Sequence, residues 1–430
     1  NDFGDTFVAY LFAHNNNDGG FGPDADQDII KWGSYNGNGS ASGPSINLGF
    51  EPQFLMIKRA SGANGWNVFD TMRGWTNNAG YVDNTIAWNT TDAEGTGFYW
   101  HNPTSTGFDI AASNDNVNAN GDTYIYMAIR KGSLFTPTDA TKVFNIGTYG
   151  ANRDNSSTST YYAGFPVDMA IKKVPVTSGA NNYVSTRMLG TTDLRTNSSA
   201  AERTGETEET FDSNTHWNKA VGTNTSSQSW MWKRAPGYFD VVAYTGNNNY
   251  YTSQNITHNL GVVPEMIWIK NRDRDASWAV YNKTIGAQKK LDLDGNSGAS
   301  ANDSAYFNNT TPTSSVFTVG NSNRVNQANE SHVAYLFATV AGVSKVGSYS
   351  GTGSDQNIDC GFSSGARFVL VKRTNSTGHW LIFDSLRGIT AASNDPFLEL
   401  DSTAAQDQNS NLDVDPLSSG FTVSGADSIF

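Results

Sequence analysis

The 430-residue chain has one cysteine, Cys360. An intrachain disulfide framework is excluded, so stability must come from buried cores and subunit contacts, not from the staples many small secreted domains need. Charge is also scarce, at 16% of residues, and acidic side chains outnumber basic ones 41 to 28 for a formal net charge of −13. Phosphate-backbone binding requires lysine and arginine, so nucleic acid is not an expected partner. The acidic balance instead favours solubility. No apolar run approaches the ~18 residues of a membrane span, so membrane insertion is not expected. The six histidines (14, 101, 216, 258, 332 and 379) include no pair at metal-ligand spacing. No Gly-x-Ser-x-Gly elbow or phosphate loop stands out. No acidic pair recurs in an aromatic-lined segment, as two-carboxylate glycoside hydrolysis would need. No catalytic residue and no cofactor are expected.

What is abundant is glycine, asparagine, serine and threonine. Apolar and aromatic residues come in bursts of a few positions between these turn-forming clusters, while alanine-leucine-glutamate helix patterns are nearly missing. That pattern reads as short strands joined by turns. Residues 54–57, 124–129 and 368–371 are continuously apolar, which fits strands covered on both faces or strands facing a module junction; periodicity does not separate the two. Residues 291–294 and 398–401 alternate apolar with acidic and read as half-buried strands. The expected fold is all-β, built of β-sandwich modules of jelly-roll or immunoglobulin-like type.

The sequence Val-Ala-Tyr-Leu-Phe-Ala stands at residues 8–13 and again at 333–338. A repeat extends from it. A Gly-Ser-Tyr-x-Gly turn (33–37, 347–351) precedes an apolar run ending in Lys-Arg (54–59, 368–373). Then comes Trp-x-x-Phe-Asp-x-x-Arg-Gly (66–74, 380–388). Weaker copies lie at 146–150 with 168–173, and at 242–246 with 265–270. The turn tyrosines 35, 149, 244 and 349 are 114, 95 and 105 residues apart. Solenoid repeats run ~20–50 residues, so this spacing predicts self-sufficient domains strung in series. The expected boundaries are 29–133 (module 1), 140–236 (module 2, divergent), 237–339 (module 3) and 343–430 (module 4). Residues 1–13 read as the last strand of a preceding module, and 14–28 as an acidic Asn/Gly/Asp linker. Module 4 lacks a counterpart of the closing strand. Two explanations fit: a longer polypeptide carrying more modules, or a leading strand that completes the final module of another subunit.

Several segments invite a chemical reading. Asp70 and Asp384 lie in the Trp-x-x-Phe-Asp-x-x-Arg-Gly block, but in the third copy Asn282 and Ile285 replace Asp and Arg together. Joint retention and joint loss predict an ion pair or turn-bracing bond. The block's tryptophan is expected in the sandwich core. Residues 292–296 resemble the start of a calcium loop, yet the equivalent 398–404 supplies no ligand series, so an acidic turn explains both. Asp18, Asp24, Asp26 and Asp28 form the better cation candidate, weighed against a plain acidic linker. The variable stretch 75–101 carries Trp75, Tyr81, Trp88, Tyr99, Trp100 and His101. Aromatic rings beside amides and carboxylates suit a cell-surface glycan, and they suit strands and subunit interfaces equally.

Taken together, the turn at 33–37, residues 48–59, the block at 66–74 and the closing strand at 333–338 resemble a repeat found in structural proteins of marine, cyanophage-like bacteriophages. The resemblance is strong over 29–130 and 331–430, fair over 238–330 and weak over 140–236. It implies a non-enzymatic virion appendage, most directly a tail fibre or host-contacting fibre, located on an extracellular particle and assembled in the host cytoplasm. It also implies contact with other virion proteins and a homo-oligomer, with a trimer expected by analogy. A bacterial adhesin or carbohydrate-binding protein, a head-decoration protein and a polysaccharide depolymerase are the alternatives.

Overall fold

The computed structural model describes residues 8–14, 20–22, 25, 27–77, 83–148, 160–204, 209–219, 226–248, 252–391, 394–408 and 412–424. These residues are almost entirely β, arranged in antiparallel sheets without a barrel and consistent with sandwich modules. The chain divides into two compact units, Asn1–Arg73 with Val82–Leu134, and Gly74–Tyr81 with Phe135–Phe430. The first holds module 1; the second holds modules 2, 3 and 4.

In module 1 the larger sheet begins with an opening strand, Ile30–Asn36, paired to the closing strand, Thr123–Arg130. The lysine strand, Pro52–Arg59, and the tryptophan strand, Asn67–Asp70, follow. A smaller sheet of Ser45–Asn47, Gly107–Ile110 and His101–Thr104 accompanies it. Module 2 repeats the order with Phe144–Thr148, Gln228–Trp232, Met169–Lys173 and Tyr183–Thr186; module 3 repeats it with Phe239–Thr245, Ser331–Phe337, Met266–Asn271 and Ala279–Asn282. Module 4 has the lysine strand, Phe368–Lys372, and the tryptophan strand, Trp380–Asp384, beside a small sheet of Gln356–Asp359, Gly420–Ser424 and Asp413–Leu417. Residues 345–350, which correspond to its opening strand, adopt no strand.

Register confirms the equivalence. Phe54, Met169, Met266 and Phe368 pair with Asp70, Thr186, Asn282 and Asp384. Lys58, Lys173, Lys270 and Lys372 therefore occupy one position in four modules. Of the two segments read as alternating strands, 398–401 supplies Leu398–Glu399, whereas 291–294 makes only a single bridge, Leu291 to Val280.

Strand alternation sends side chains to two destinations. In the closing strand of module 3, Ala334 and Leu336 enter the module's own core with Ile256, Phe307 and Phe317. Val333 and Tyr335 point the other way, into a second core shared with modules 2 and 4. The continuously apolar run 368–371 therefore faces a module junction, with Phe368 and Leu370 on the shared core and Val369 and Val371 in the core of module 4. Modules 2, 3 and 4 are grouped about this common core, not strung in series as the repeat spacing suggested.

The Gly-Ser-Tyr-x-Gly segment, read from the sequence as a turn, instead forms the end of the opening strand in module 1, and Tyr244 lies likewise in the opening strand of module 3. Tyr35 donates its hydroxyl to Val117 O at 2.7 Å and stacks on Tyr124 at 5.1 Å; Tyr244 donates to Val325 O at 2.7 Å and stacks on His332 at 5.1 Å. The glycine that follows is required by close approach. A Cβ on Gly37 would sit 2.2 Å from Ala119 O, and one on Gly246 2.1 Å from Gln327 O. Backbone on both sides leaves no room to yield. Gly37→Ala and Gly246→Ala are each expected to lower unfolding free energy by about 1–3 kcal/mol, the usual range for overpacking. Urea midpoints compared with an alanine substitution at Gly347, which meets only the Lys345 side chain, check this.

Candidate functional site

The shared core of the second unit is the largest apolar feature of the chain. Module 2 contributes Trp230 and Trp232, module 3 contributes Trp268, Trp278 and Tyr335, and module 4 contributes Trp380 and Ile382, all buried. Phe368 of module 4 meets Phe144 and Trp232 of module 2 at 5.5 and 5.7 Å between ring centres. Burying one such ring removes about 150–250 Å² from water, worth roughly 4–6 kcal/mol before ordering costs at ~25 cal/mol/Å².

Directional bonds close the three modules into a ring. Trp278 and Asn182 precede their strands and Trp380 opens its own, at equivalent positions. Trp278 Nε1 donates to Arg195 O of module 2 at 2.8 Å, Trp380 Nε1 to Asp292 O of module 3 at 2.9 Å, and Asn182 Nδ2 to Glu399 O of module 4 at 3.1 Å. The three acceptors are themselves equivalent, so each module holds the next in one cyclic sense. The carbonyl-bearing turns are fixed by a second repeated bond: the backbone N–H groups of Trp278, Trp380 and Asn182 donate to Asp294, Asp401 and Asn197 side chains at 3.1, 3.0 and 2.8 Å. In module 1 Trp66 N donates to Asn89 Oδ1 at 2.8 Å. That explains the acidic turn at 292–296 without an ion. Asp292 pairs with Lys290 at 2.5 Å and Arg324 at 2.8 Å. Arg272 of module 3 adds a buried pair with Glu202 of module 2 at 2.8 Å.

The Asp-Arg motif is a turn brace in modules 1 and 4. Asp70 accepts from Met72 N, Arg73 N and Arg73 Nε; Asp384 accepts from Leu386 N, Arg387 N and Arg387 Nε. Asn282 keeps only a bond from Thr284 N. Asp384 has a further role. Its Oδ2 accepts Gln228 Nε2 at 2.7 Å and Trp230 Nε1 at 3.1 Å, so one fully buried carboxylate braces its own turn and ties module 2 to module 4. Trp278 and Trp380 of the block, expected inside single sandwiches, instead fill the core between modules, because the strand's alternation aims them outward.

Module 1 carries the same face without that burial. Trp32, Phe54, Trp66 and Ile129 are half-buried around Met56, Val68 and Met127. By register these correspond to Val241, Met266, Trp278, Phe337, Trp268, Val280 and Tyr335 of the shared core.

The aromatic glycan candidates separate. Trp100 and His101 are buried in module 1, where His101 lies edge-on to Phe69 at 4.0 Å and burial pushes its pKa down to about 3. Trp75 is buried in the second unit. A buried ring has no free face for a sugar, so these three leave the candidate surface. Tyr99 is half-buried and accepts from Asn102 Nδ2 at 2.8 Å. Trp88 remains, 59% exposed and 6.0 Å from Phe54. Tyr81 lies outside the described residues, as do Asp18, Asp24 and Asp26. Asp28 is buried 3.7 Å from Lys31. Among the described residues no three metal-ligating side chains cluster.

Charge at the ring's rim is costly. Lys173, Lys270 and Lys372 end their strands beside it and donate to backbone carbonyls, Ser402 O and Asn296 O of neighbouring modules among them. Burial lowers each pKa from 10.5 to about 8. Between those values the unfolded chain binds more protons than the folded one, so stability rises with pH across the window. Burial holds the hydroxyls of Tyr35, Tyr238, Tyr244 and Tyr335 above their ordinary 10. Above pH 10 the unfolded chain loses those protons first and stability falls. Thermal midpoints are expected to climb from pH 8 toward 10 and then drop, with the climb reduced by Lys270→Met. Asp384→Asn is expected to cost about 3–5 kcal/mol, because it leaves Arg387 buried without its charge partner. Asp70→Asn, in the more exposed copy, is expected to cost under about 1 kcal/mol. Urea unfolding of the two variants separates the cases.

A family model described as a domain of unknown function, DUF7483, matches residues 1–131 and 139–429. No curated protein and no solved structure matches the chain.

Proposed function

We propose that this chain, which belongs to the DUF7483 family, is a non-enzymatic building block of a virion appendage, a tail fibre or other host-contacting fibre that assembles as a homotrimer. The observation that carries this reading is the half-buried match in module 1 to a face that modules 2, 3 and 4 bury fully as a threesome. Three repeats satisfy one another around an aromatic core; one repeat with the same face needs two more. Three copies of the chain would supply them through Trp32, Phe54 and Trp66, with closed symmetry. The aromatic residues and many of the buried charges are engaged in holding modules together, which is the economy of a scaffold. Trp88, exposed at the margin of the same face, is the remaining aromatic candidate for contact with a surface glycan.

Solution mass by light scattering is expected at three times the 46.4 kDa chain. Phe54→Asp and Trp66→Asp are each expected to bring it below the trimer value while the circular dichroism stays unchanged. A single-chain mass at all concentrations would remove the trimer. Antibody labelling of purified phage particles is expected at the tail fibres. Label over the capsid would instead indicate a head-decoration protein, and label on bacteria lacking phage genes an adhesin. Release of reducing sugar from capsule or lipopolysaccharide would overturn the non-enzymatic reading.

A further inference from the structure

Among the described residues, the larger sheet of the fourth module has an open place. In modules 1, 2 and 3 the lysine strand is paired on both edges, by the tryptophan strand and the closing strand. Among the described residues Phe368–Lys372 pairs only with Trp380–Asp384. Beside its other edge lies a cleft of about 1360 Å³. One wall is the shared core, with Trp232, Trp268 and Trp380; the other is module 4's own interior, with Val369 and Phe421. Residues 345–350 run along the rim without forming a strand. The hydroxyl of Tyr349 is buried with no partner among the described residues, whereas Tyr35 and Tyr244 at the same position each reach a carbonyl.

The segment that would fit is present in the chain. Residues 8–13 have the same sequence as 333–338, which occupy this place in module 3. Leu11 is 93% exposed and Tyr10 82%. We propose that the cleft is a strand-acceptor site and that residues 8–13 of a second copy of the chain fill it. Register carried over from module 3 sets Phe12 opposite Phe368, Leu11 opposite Val369, Tyr10 opposite Leu370 and Val8 opposite Lys372. Val8, Tyr10 and Phe12 then enter the aromatic core, as Val333, Tyr335 and Phe337 do. Ala9, Leu11 and Ala13 enter module 4's own core. Both faces of the strand meet apolar walls, and its backbone completes the sheet on two edges, the mode of β-augmentation. Residues 345–350 become its second partner, with Val346 opposite Tyr10.

A fluorescent peptide of residues 6–14, titrated into the full chain carrying Leu11→Asp, tests the site without reference to module 1. Saturable binding of one peptide per chain is expected, and Val369→Asp in the cleft should weaken it at least tenfold; no binding overturns the proposal. The donor's origin is read by cysteine cross-linking in a Cys360→Ser, Phe54→Asp background, which removes the native thiol and association through module 1. Chains carrying Tyr10→Cys and chains carrying Leu370→Cys, mixed and oxidised, are expected to give a covalent dimer of the two. Absence of that dimer, or a cross-link formed only when both cysteines are on one chain, excludes a second copy as donor.

Discussion

Each larger sheet in the second unit has two apolar faces and only one of them is covered by its own module. The uncovered face, rich in tryptophan, must find a partner, and modules 2, 3 and 4 satisfy the need by turning theirs to a common centre. The order of magnitude settles what drives this. A buried tryptophan contributes several kcal/mol of transfer free energy, while each tryptophan-to-carbonyl bond contributes about 0.5–1.5 kcal/mol net. Burial supplies the driving force; the bonds select one arrangement.

That selection is visible in chemistry that would otherwise be a liability. Trp278 and Trp380 bring indole N–H groups into an apolar core, where an unpaired donor costs about as much as the bond contributes. Each finds the carbonyl of the next module, and Asn182 does the same where module 2 lacks the tryptophan. Asp384 collects the indole of Trp230 and the amide of Gln228 from the neighbouring module while bracing its own turn. A sliding or rotated arrangement would strand these groups without partners. Buried polar atoms thus fix the cyclic order.

The repeat had another consequence that follows from the same geometry. Because the closing strand lies between the opening and lysine strands, two strands are left without their shared partner in module 4, where none is found among the described residues. This accounts for the irregular path of residues 345–350, although their sequence, with its Gly-Ser-Tyr turn, is close to that of residues forming a strand in module 1. Local propensity is the same; the missing neighbour makes the difference.

Much of this was legible in the residues. The repeat, the strand content and the Asp-Arg brace followed from spacing and from which positions change together. Apolar runs such as 368–371 announced two buried faces but not what lay against the outer one. The aromatic stretch 75–101 read as a possible sugar platform because a ring's identity does not tell which way the fold aims it; Trp100 and His101 are buried in module 1, whereas Trp88, in the turn after Asp83–Ala87, is exposed. Sequence by itself determined the modules, their internal register and the turns that end their strands, since these depend on neighbours within one repeat. Only the tertiary structure decided that three modules close into a ring and that one cleft stays open, because those depend on how the outer faces of distant strands meet.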